Sequence, residues 1–250
     1  MTASALRTRG LGLDYGPFTA VRAVDLDVRP RTLHALIGPN GAGKTSFFNI
    51  VSGRYAPSRG KVELEGRDIT ARPARSRVGL GMARSFQITS LFPESSVREN
   101  LELAAMGTKA GRALRFWSNW SAETAHAEGV DRVLEELELK RFADAPVSVL
   151  SHGQQRVVEI GMCLVANPRI LLLDEPLAGL GLADIPRIRD LLARLKARYT
   201  ILLVEHNMRV VMAVSDRITV MFQGGVLAEG TPDEIRNNAE VRRVYLGSEA

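Results

Sequence analysis

Cysteine is almost missing from this sequence, since Cys163 is the only one among 250 residues. No disulfide can form within the chain, which is typical of proteins from a reducing compartment, and we interpret Cys163 as a small apolar core residue. Long apolar runs are missing too, because none reaches the ~18 residues that a membrane-spanning helix needs. Residues 1–10 lack the apolar stretch of a signal peptide. We therefore expect any connection to a membrane to pass through a partner.

Aromatic residues are also scarce, at 6% of the chain, which disfavours a surface that stacks on nucleic-acid bases. The apolar fraction of 45% and the charged fraction of 24% are those of an ordinary globular protein. The net charge is +5, and one basic cluster is visible: Lys109, Arg112 and Arg115 lie near Trp117 and Trp120. For that cluster, a solvated surface and contact with anionic lipid headgroups both stay open.

Strand and helix patterns alternate in both outer parts of the chain, while the middle is helical. Short apolar runs predict buried strands at Leu33–Ile37, Ile170–Asp174 and Thr200–Glu205, and helical patterns follow at Lys44–Ser52, Asp184–Ala197 and Asn207–Val214. Strand patterns around Gly224-Gly225 predict a hairpin. From about Val97 to Ala166 the pattern is helical. The alternation predicts an α/β fold with a mostly parallel sheet and helices on both faces.

One segment matches the complete phosphate-loop pattern G-x-x-x-x-G-K-[ST]. It reads Gly38-Pro39-Asn40-Gly41-Ala42-Gly43-Lys44-Thr45 and, with Ser46, joins a predicted strand to a predicted helix. Glycines let backbone N–H groups curl around phosphate oxygens, and the helix N-terminus adds partial positive charge. Lys44 would contact the β- and γ-phosphates, and the Thr45 hydroxyl would bind Mg²⁺. The segment predicts a nucleotide site.

Two carboxylates end a second predicted strand, since Ile170–Leu173 is followed by Asp174 and Glu175. In open α/β sheets the carboxyl ends of parallel strands border the ligand site, so both acids are expected beside the phosphate loop. Asp174 would hold Mg²⁺ through its water shell. Glu175 would accept a proton from the attacking water, or orient that water. Without the phosphate loop, a pair of surface acids would be an equally good interpretation.

Further segments carry a resemblance to a known family. Leu150-Ser151-His152-Gly153-Gln154 resembles the signature motif of ABC ATPases, which is usually Leu-Ser-Gly-Gly-Gln. Gln87, His206 and Tyr15 resemble that family's Q-loop glutamine, switch histidine and adenine-stacking aromatic. The resemblance covers the whole chain. It implies that residues 1–250 form a single nucleotide-binding domain that hydrolyses ATP with Mg²⁺ to drive transmembrane transport.

The same resemblance implies an architecture and three roles. We expect a P-loop NTPase (RecA-like) core, an antiparallel β subdomain, and an inserted α-helical subdomain at about 88–166 that carries the signature. Gln87 would reach Mg²⁺ or the attacking water. His206 would hydrogen-bond the γ-phosphate, and Tyr15 would stack on the adenine.

The signature has a physical interpretation of its own, because Ser151 is a good N-cap for the helix that follows. In the family, Ser151, Gly153 and Gln154 would contact the ATP held by a partner's phosphate loop, so that two subunits pair head to tail. Two departures stand out: His152 replaces a glycine, and Gly181 stands where the family often has aspartate. We expect activity to survive the first, while the second puts cross-subunit communication in doubt.

Several segments resemble one subfamily, the ATPases of bacterial branched-chain amino-acid and related amide or urea importers. They are Arg84–Pro93, Ser96–Asn100, Lys109–Trp120, Val157–Gly161 and Val244–Gly247. The implied partners are a second ABC ATPase subunit (like or unlike), two transmembrane permease subunits and, indirectly, an extracytoplasmic solute-binding protein. The implied location is the cytoplasmic face of the inner membrane, with Gln87–Asn100 docking on a permease helix.

Two alternatives stay open. A lipid or lipopolysaccharide exporter ATPase would share the Val244–Gly247 tail, but the Arg84–Pro93 segment argues against it. A soluble mechanical ABC ATPase acting on DNA or ribosomes usually carries two nucleotide domains or a long coiled coil, which this sequence lacks. We therefore expect no nucleic-acid partner, and salt-sensitive DNA binding would favour that class instead.

Overall fold

A computed structural model describes residues 4–85, 91–107 and 119–246. Its strands are β1 (Leu6–Tyr15), β2 (Phe18–Val28), β3 (Leu33–Ile37), β4 (Arg59–Leu64), β5 (Arg67–Asp68), β6 (Met82–Arg84), β7 (Ile170–Asp174), β8 (Thr200–Val204), β9 (Arg217–Phe222) and β10 (Gly225–Gly230). Its helices are α1 (Lys44–Val51), α2 (Ala74–Val78), α3 (Val97–Gly107), α4 (Asn119–Glu136), α5 (His152–Leu164), α6 (Ile185–Leu195), α7 (Met208–Val214), α8 (Pro232–Asn237) and α9 (Ala239–Leu246).

The central sheet is mostly parallel, as the alternating pattern predicts. Its strand order is β10-β9-β3-β8-β7-β6, and among the described strands only the β9–β10 hairpin pairs antiparallel within it. Every residue of β3, β7 and β8 is buried. Alternate side chains enter different cores, since Ala35 and Ile37 pack on one face and Leu36 on the other. A strand covered on both faces becomes a continuous apolar run, which is why these three were visible in the sequence.

A second sheet, of order β2-β1-β4-β5, is antiparallel and faces the other side of α1. Phe47 and Phe48 on α1 are fully buried between the two sheets. This packing fixes α1, and the phosphate loop at its N-terminus, against both layers. The antiparallel β portion and the parallel core both confirm the predicted fold class.

The helices of the middle segment pack against one another, with contacts among α3, α4 and α5. Val157, Ile160 and Leu164 form the buried face of α5. Gly161 allows the close approach, because a Cβ there would lie 2.8 Å from a Leu137 methyl carbon. The subdomain boundaries at about 88 and 166 stay a prediction, and residue 88 lies outside the described residues. No helix in the described part of the chain is both long and apolar enough to cross a bilayer.

A buried arginine closes the end of α1 that lies opposite the phosphate loop. The Arg77 guanidinium, 1% exposed, donates hydrogen bonds to the carbonyls of Ile50, Val51, Arg72 and Thr70. The last carbonyls of a helix have no partner within the helix, so Arg77 supplies a donor to the Val51 carbonyl and a second donor to the Ile50 carbonyl, which also accepts from the Gly53 N–H. Burial without a carboxylate lowers the pKa of Arg77 to about 10. Arg77 thus anchors the helix that carries the site.

His34 on β3 should make folding sensitive to acid. Its imidazole Nε2 lies 2.7 Å from the Thr219 hydroxyl, and burial lowers its pKa from 6.5 to about 4, although Glu229 opposes the shift. Because the unfolded chain binds the proton more readily, His34 contributes stability above pH about 6.5, and this contribution is lost as pH falls towards about 4. Between pH about 7.5 and about 4.5 we expect His34 to account for about 2–3 kcal/mol of lost unfolding free energy.

Urea unfolding at those two pH values measures this effect. The His34→Gln variant, which keeps a hydrogen-bonding group, should lose less stability on acidification than the wild type. Exposed His152 provides the control, so His152→Gln should behave as wild type. Equal acid losses in His34→Gln and wild type would show that His34 is not the titrating group.

Candidate functional site

The phosphate loop is a tight backbone turn between β3 and α1 that only glycine fits at two points. Gly38 and Gly43 have φ angles of 152° and 96°. A Cβ on Gly38 would lie 2.3 Å from the Met221 carbonyl oxygen, and one on Gly43 would lie 2.4 Å from that of Ala20. Larger residues would therefore strain the loop and push it from the sheet. Between these glycines, Asn40 and Gly41 are exposed and Pro39 is half-buried; after Gly43, Thr45 is exposed and Ser46 half-buried.

Lys44 folds back over this loop. Its ammonium donates to the carbonyl oxygens of Gly38 and Pro39 at 2.6 and 3.0 Å. Burial lowers the pKa of Lys44, while the nearby carboxylates of Glu175 and Asp174 act in the opposite direction. A lysine with carbonyl partners and two acids nearby is held as a charged donor at the place where phosphates would enter.

Asp174 is buried at the end of β7 and is paired with an arginine from β6. The Arg84 guanidinium donates to Asp174 Oδ2 at 3.0 Å and also to Asn49 on α1 and to Ser52, which directly follows α1. Burial raises the pKa of the Asp174 carboxyl, and Arg84 partly offsets this. Arg84 therefore joins the strand that ends in the acid to the helix that follows the phosphate loop.

The oxygen donors near the loop suit Mg²⁺. Asp174 Oδ1 is buried and has no hydrogen-bond partner among the described residues, and the Thr45 side chain is exposed one residue after Lys44. Carboxylate and hydroxyl oxygens are hard ligands that Mg²⁺ accepts beside water and phosphate. Within the described ranges, no cluster of three or more His, Cys, Asp or Glu side chains could hold a metal alone. The donor set fits an ion that binds together with a nucleotide.

Glu175 and His206 are in direct contact. His206 Nε2 lies 2.6 Å from Glu175 Oε1, which is a short hydrogen-bond distance. Glu175 has φ of 50°, the left-handed region, and its N–H donates to the Val204 carbonyl at 2.8 Å. Such backbone strain in a non-glycine residue persists only where the surroundings fix it, and it is common at active sites.

The signature residues form a capped helix N-terminus. The Ser151 hydroxyl accepts from the Gln154 N–H at 3.3 Å, and the Gln154 side chain accepts from the Ser151 N–H at 2.9 Å, which is a full capping box. Gly153 permits a close approach, because a Cβ there would lie 2.3 Å from an Asp184 carboxylate oxygen. Among the described residues, no hydrogen bond joins Ser151 or Gln154 to the phosphate loop.

Tyr15 lies at the end of β1, where its ring is 49% exposed and packs edge-on against Tyr55 at 6.4 Å between centroids. An exposed ring face is available for stacking.

Gln87 lies outside the described residues, and so does the basic cluster from Lys109 to Trp117.

Two residues of this site had no role in the sequence interpretation. Arg84 was visible only as part of a subfamily segment, although it pairs with Asp174. Glu205 stands directly before His206, is 3% exposed, and accepts three backbone hydrogen bonds. The only signal for Glu205 is an acid directly after an apolar strand.

The comparisons with known families agree with this geometry. The family described as "ABC transporter" matches residues 21–178. A second family, "Branched-chain amino acid ATP-binding cassette transporter", matches residues 226–250.

Similar proteins match over nearly their whole lengths. The high-affinity branched-chain amino acid transport ATP-binding protein LivG of Salmonella typhimurium is 42% identical over 253 residues, covering 99% of both chains. The corresponding BraF protein of Pseudomonas aeruginosa is 36% identical over 266 residues, again covering 99% of both. A crystal structure of the ADP conformation of an ABC transporter cassette superposes with a TM-score of 0.85 at 31% identity, covering 98% of this chain and all of that one. The chain therefore belongs to the ABC transporter family, as one of its ATP-binding, ATP-hydrolysing subunits.

Proposed function

We propose that this ATPase energises the uptake of branched-chain amino acids through partner permeases, with related amides or urea as the alternative solutes. The observation that carries the proposal is the full-length similarity to the LivG and BraF proteins, whose names specify branched-chain amino acid transport. The family match at residues 226–250 supports the same class and disfavours the exporter alternative.

In the proposed mechanism, water attacks the γ-phosphate in line with the leaving group. Glu175 accepts or directs the proton of that water, and before ATP binds its carboxylate is held by His206. His206 would shift from Glu175 to the γ-phosphate when ATP binds. The Lys44 ammonium, which donates to the Gly38 and Pro39 carbonyls, would donate to phosphate oxygens instead when ATP binds.

Asp174 and Thr45 would hold Mg²⁺, with Gln87 as a further ligand. When bound, the ion neutralises negative charge that develops on the phosphates. Asp174 Oδ1, which is buried without a hydrogen-bond partner in the described part of the chain, supports this assignment.

A second ATPase subunit would complete the site. A capped helix N-terminus such as that of α5, with Ser151 and Gly153, favours anions, and among the described residues no hydrogen bond joins Ser151 or Gln154 to the chain's own phosphate loop. Head-to-tail pairing would supply the γ-phosphate from the partner's loop. Two permeases would hold the pair at the cytoplasmic face of the membrane, with a solute-binding protein on the far side. Exposed Phe92 and half-buried Leu91 support docking of a permease helix nearby.

Uptake of labelled leucine by cells lacking this gene tests the proposal. Restoring the wild-type gene should restore uptake, whereas Lys44→Ala should not, because the transporter would lack a competent ATPase. Exposed Lys61 on β4 gives the matched control, and Lys61→Ala should restore uptake fully.

Labelled isoleucine, an aliphatic amide and urea should be assayed in parallel. Loss of only amide or urea uptake on deletion would move the solute to the alternative class. Unchanged uptake of all four compounds would contradict the importer assignment while leaving the ATPase activity unaffected.

A further inference from the structure

Glu205 is a buried acid whose carboxylate accepts hydrogen bonds only from main-chain groups among the described residues. Its Oε1 accepts from the Leu177 N–H at 2.8 Å, and its Oε2 accepts from the N–H groups of His206 and Asn207 at 2.8 and 3.1 Å. The residue is 3% exposed. Buried carboxylates are costly unless they are hydrogen-bonded, so these three donors account for its presence in the interior.

The three donors belong to two different loops. Leu177 lies two residues after Glu175, in the segment that follows β7, while His206 and Asn207 follow β8. The side chains of Glu175 and His206 meet at 2.6 Å. The two loops are therefore joined twice. Glu205 links their backbones, and the Glu175 and His206 side chains contact each other.

A carboxylate is the side chain that can hold both loops at once. Its two oxygens both accept, whereas a glutamine amide has one accepting oxygen and one donating NH₂. In Glu205→Gln, the amide oxygen can accept from His206 and Asn207. The amide NH₂ then faces the Leu177 N–H, and two donors cannot bond to each other. The substitution keeps the size of the side chain and breaks one of the two links.

The strained backbone of Glu175 explains why the Leu177 link matters. With φ of 50°, Glu175 occupies a region that costs energy for a non-glycine residue. Its own N–H is held by Val204, on the strand side. The Leu177–Glu205 bond holds the other side, so the Glu175 carboxylate is directed from both ends.

We propose that Glu205 is a positioning residue for ATP hydrolysis, which sets the separation of the Glu175 carboxylate and the His206 imidazole by tying their two loops together. The inference rests on the roles proposed above for Glu175 and His206. Glu205 itself touches neither nucleotide nor water in this mechanism.

The Glu205→Gln variant tests this inference through kcat and KM. A displacement of about 1 Å at a reacting group costs up to about 100-fold in rate, so kcat should fall by about 10- to 100-fold. The KM for ATP should change by less than about 3-fold, because the phosphate loop is untouched. Assays should be run well below the unfolding temperature of the variant.

Asp216 supplies the matched control. Its carboxylate also accepts from a backbone N–H, that of Leu33, and pairs with Lys196, but it lies at the other end of the strands. Asp216→Asn should lower thermal stability and leave kcat unchanged. The inference is overturned when Glu205→Gln keeps wild-type kcat, or when its kcat loss merely matches that of Asp216→Asn.

Two further measurements keep the outcome decisive. Glu175→Gln is assayed in parallel. If that variant hydrolyses ATP at the normal rate, the proposed catalytic site is wrong. If it is inactive while Glu205→Gln is normal, only the positioning role of Glu205 is wrong.

Amide hydrogen exchange on the wild type needs no variant to fold. The Leu177, His206 and Asn207 amides should exchange more slowly than those of exposed Leu182 and Ala183, and equal rates would contradict the proposed links.

Discussion

Replacing Glu175 with glutamine is expected to slow ATP hydrolysis by about 10²- to 10⁴-fold while ATP binding is retained. The amide cannot accept a proton from water, but its oxygen can still accept from His206, 2.6 Å from the present carboxylate oxygen. The loop should therefore keep its shape while the chemical step is blocked. Phosphate release measures the rate, and analysis of the nucleotide that remains bound should find ATP rather than ADP.

Exposed Glu128 on α4 gives the control for this variant. Glu128→Gln should hydrolyse ATP at the wild-type rate. Turnover in Glu175→Gln within about 3-fold of wild type would contradict the assignment of Glu175 as the residue that activates water.

Lys44→Ala is expected to weaken nucleotide binding strongly. A hydrogen bond from a charged group contributes about 1.5–3 kcal/mol, which corresponds to about 10- to 100-fold in affinity for one lost contact. The loss leaves the loop backbone in place, because Gly38 and Gly43 set its shape. Titration calorimetry with ATP and ADP measures the effect.

The Lys61→Ala variant again serves as the control, since Lys61 is exposed on β4. The deficit of Lys44→Ala should be larger for ATP than for ADP, because the γ-phosphate is the additional partner of the lysine. Unaltered affinity for both nucleotides would contradict the assignment of the phosphate loop.

The order of the elements could be predicted from sequence because each has a local cause. The strands β3 and β7 were predicted with the bounds that the structure shows, and β8 within one residue. All three are continuous apolar runs, a consequence of burial on both faces. The strand order could not be predicted, since β3 lies between β8 and β9, which are distant in the chain. The pairing of distant strands depends on how the sheets and helices pack together, and the local sequence pattern of a strand does not indicate its neighbour.

In the candidate site, too, local motifs were visible in the sequence and contacts between distant residues were not. The phosphate loop and the two acids were predicted because each is a short motif with a fixed position relative to a strand. The bridge from Arg84 to Asp174 spans 90 residues, and the bond from Glu205 to Leu177 spans 28. Nothing in the spacing of either pair indicates contact. Gln87 stays a prediction, because it lies outside the described residues.

The composite ATP site is tested most directly by light scattering on Glu175→Gln with and without Mg²⁺-ATP. The variant should bind ATP without consuming it, so that the signature helix of one subunit closes on the nucleotide of the other. We expect a monomer without nucleotide and a doubled mass with ATP, either for this chain alone or after mixing with the second ATPase subunit of its transporter. A mass that ATP leaves unchanged in both samples would contradict the two-subunit site.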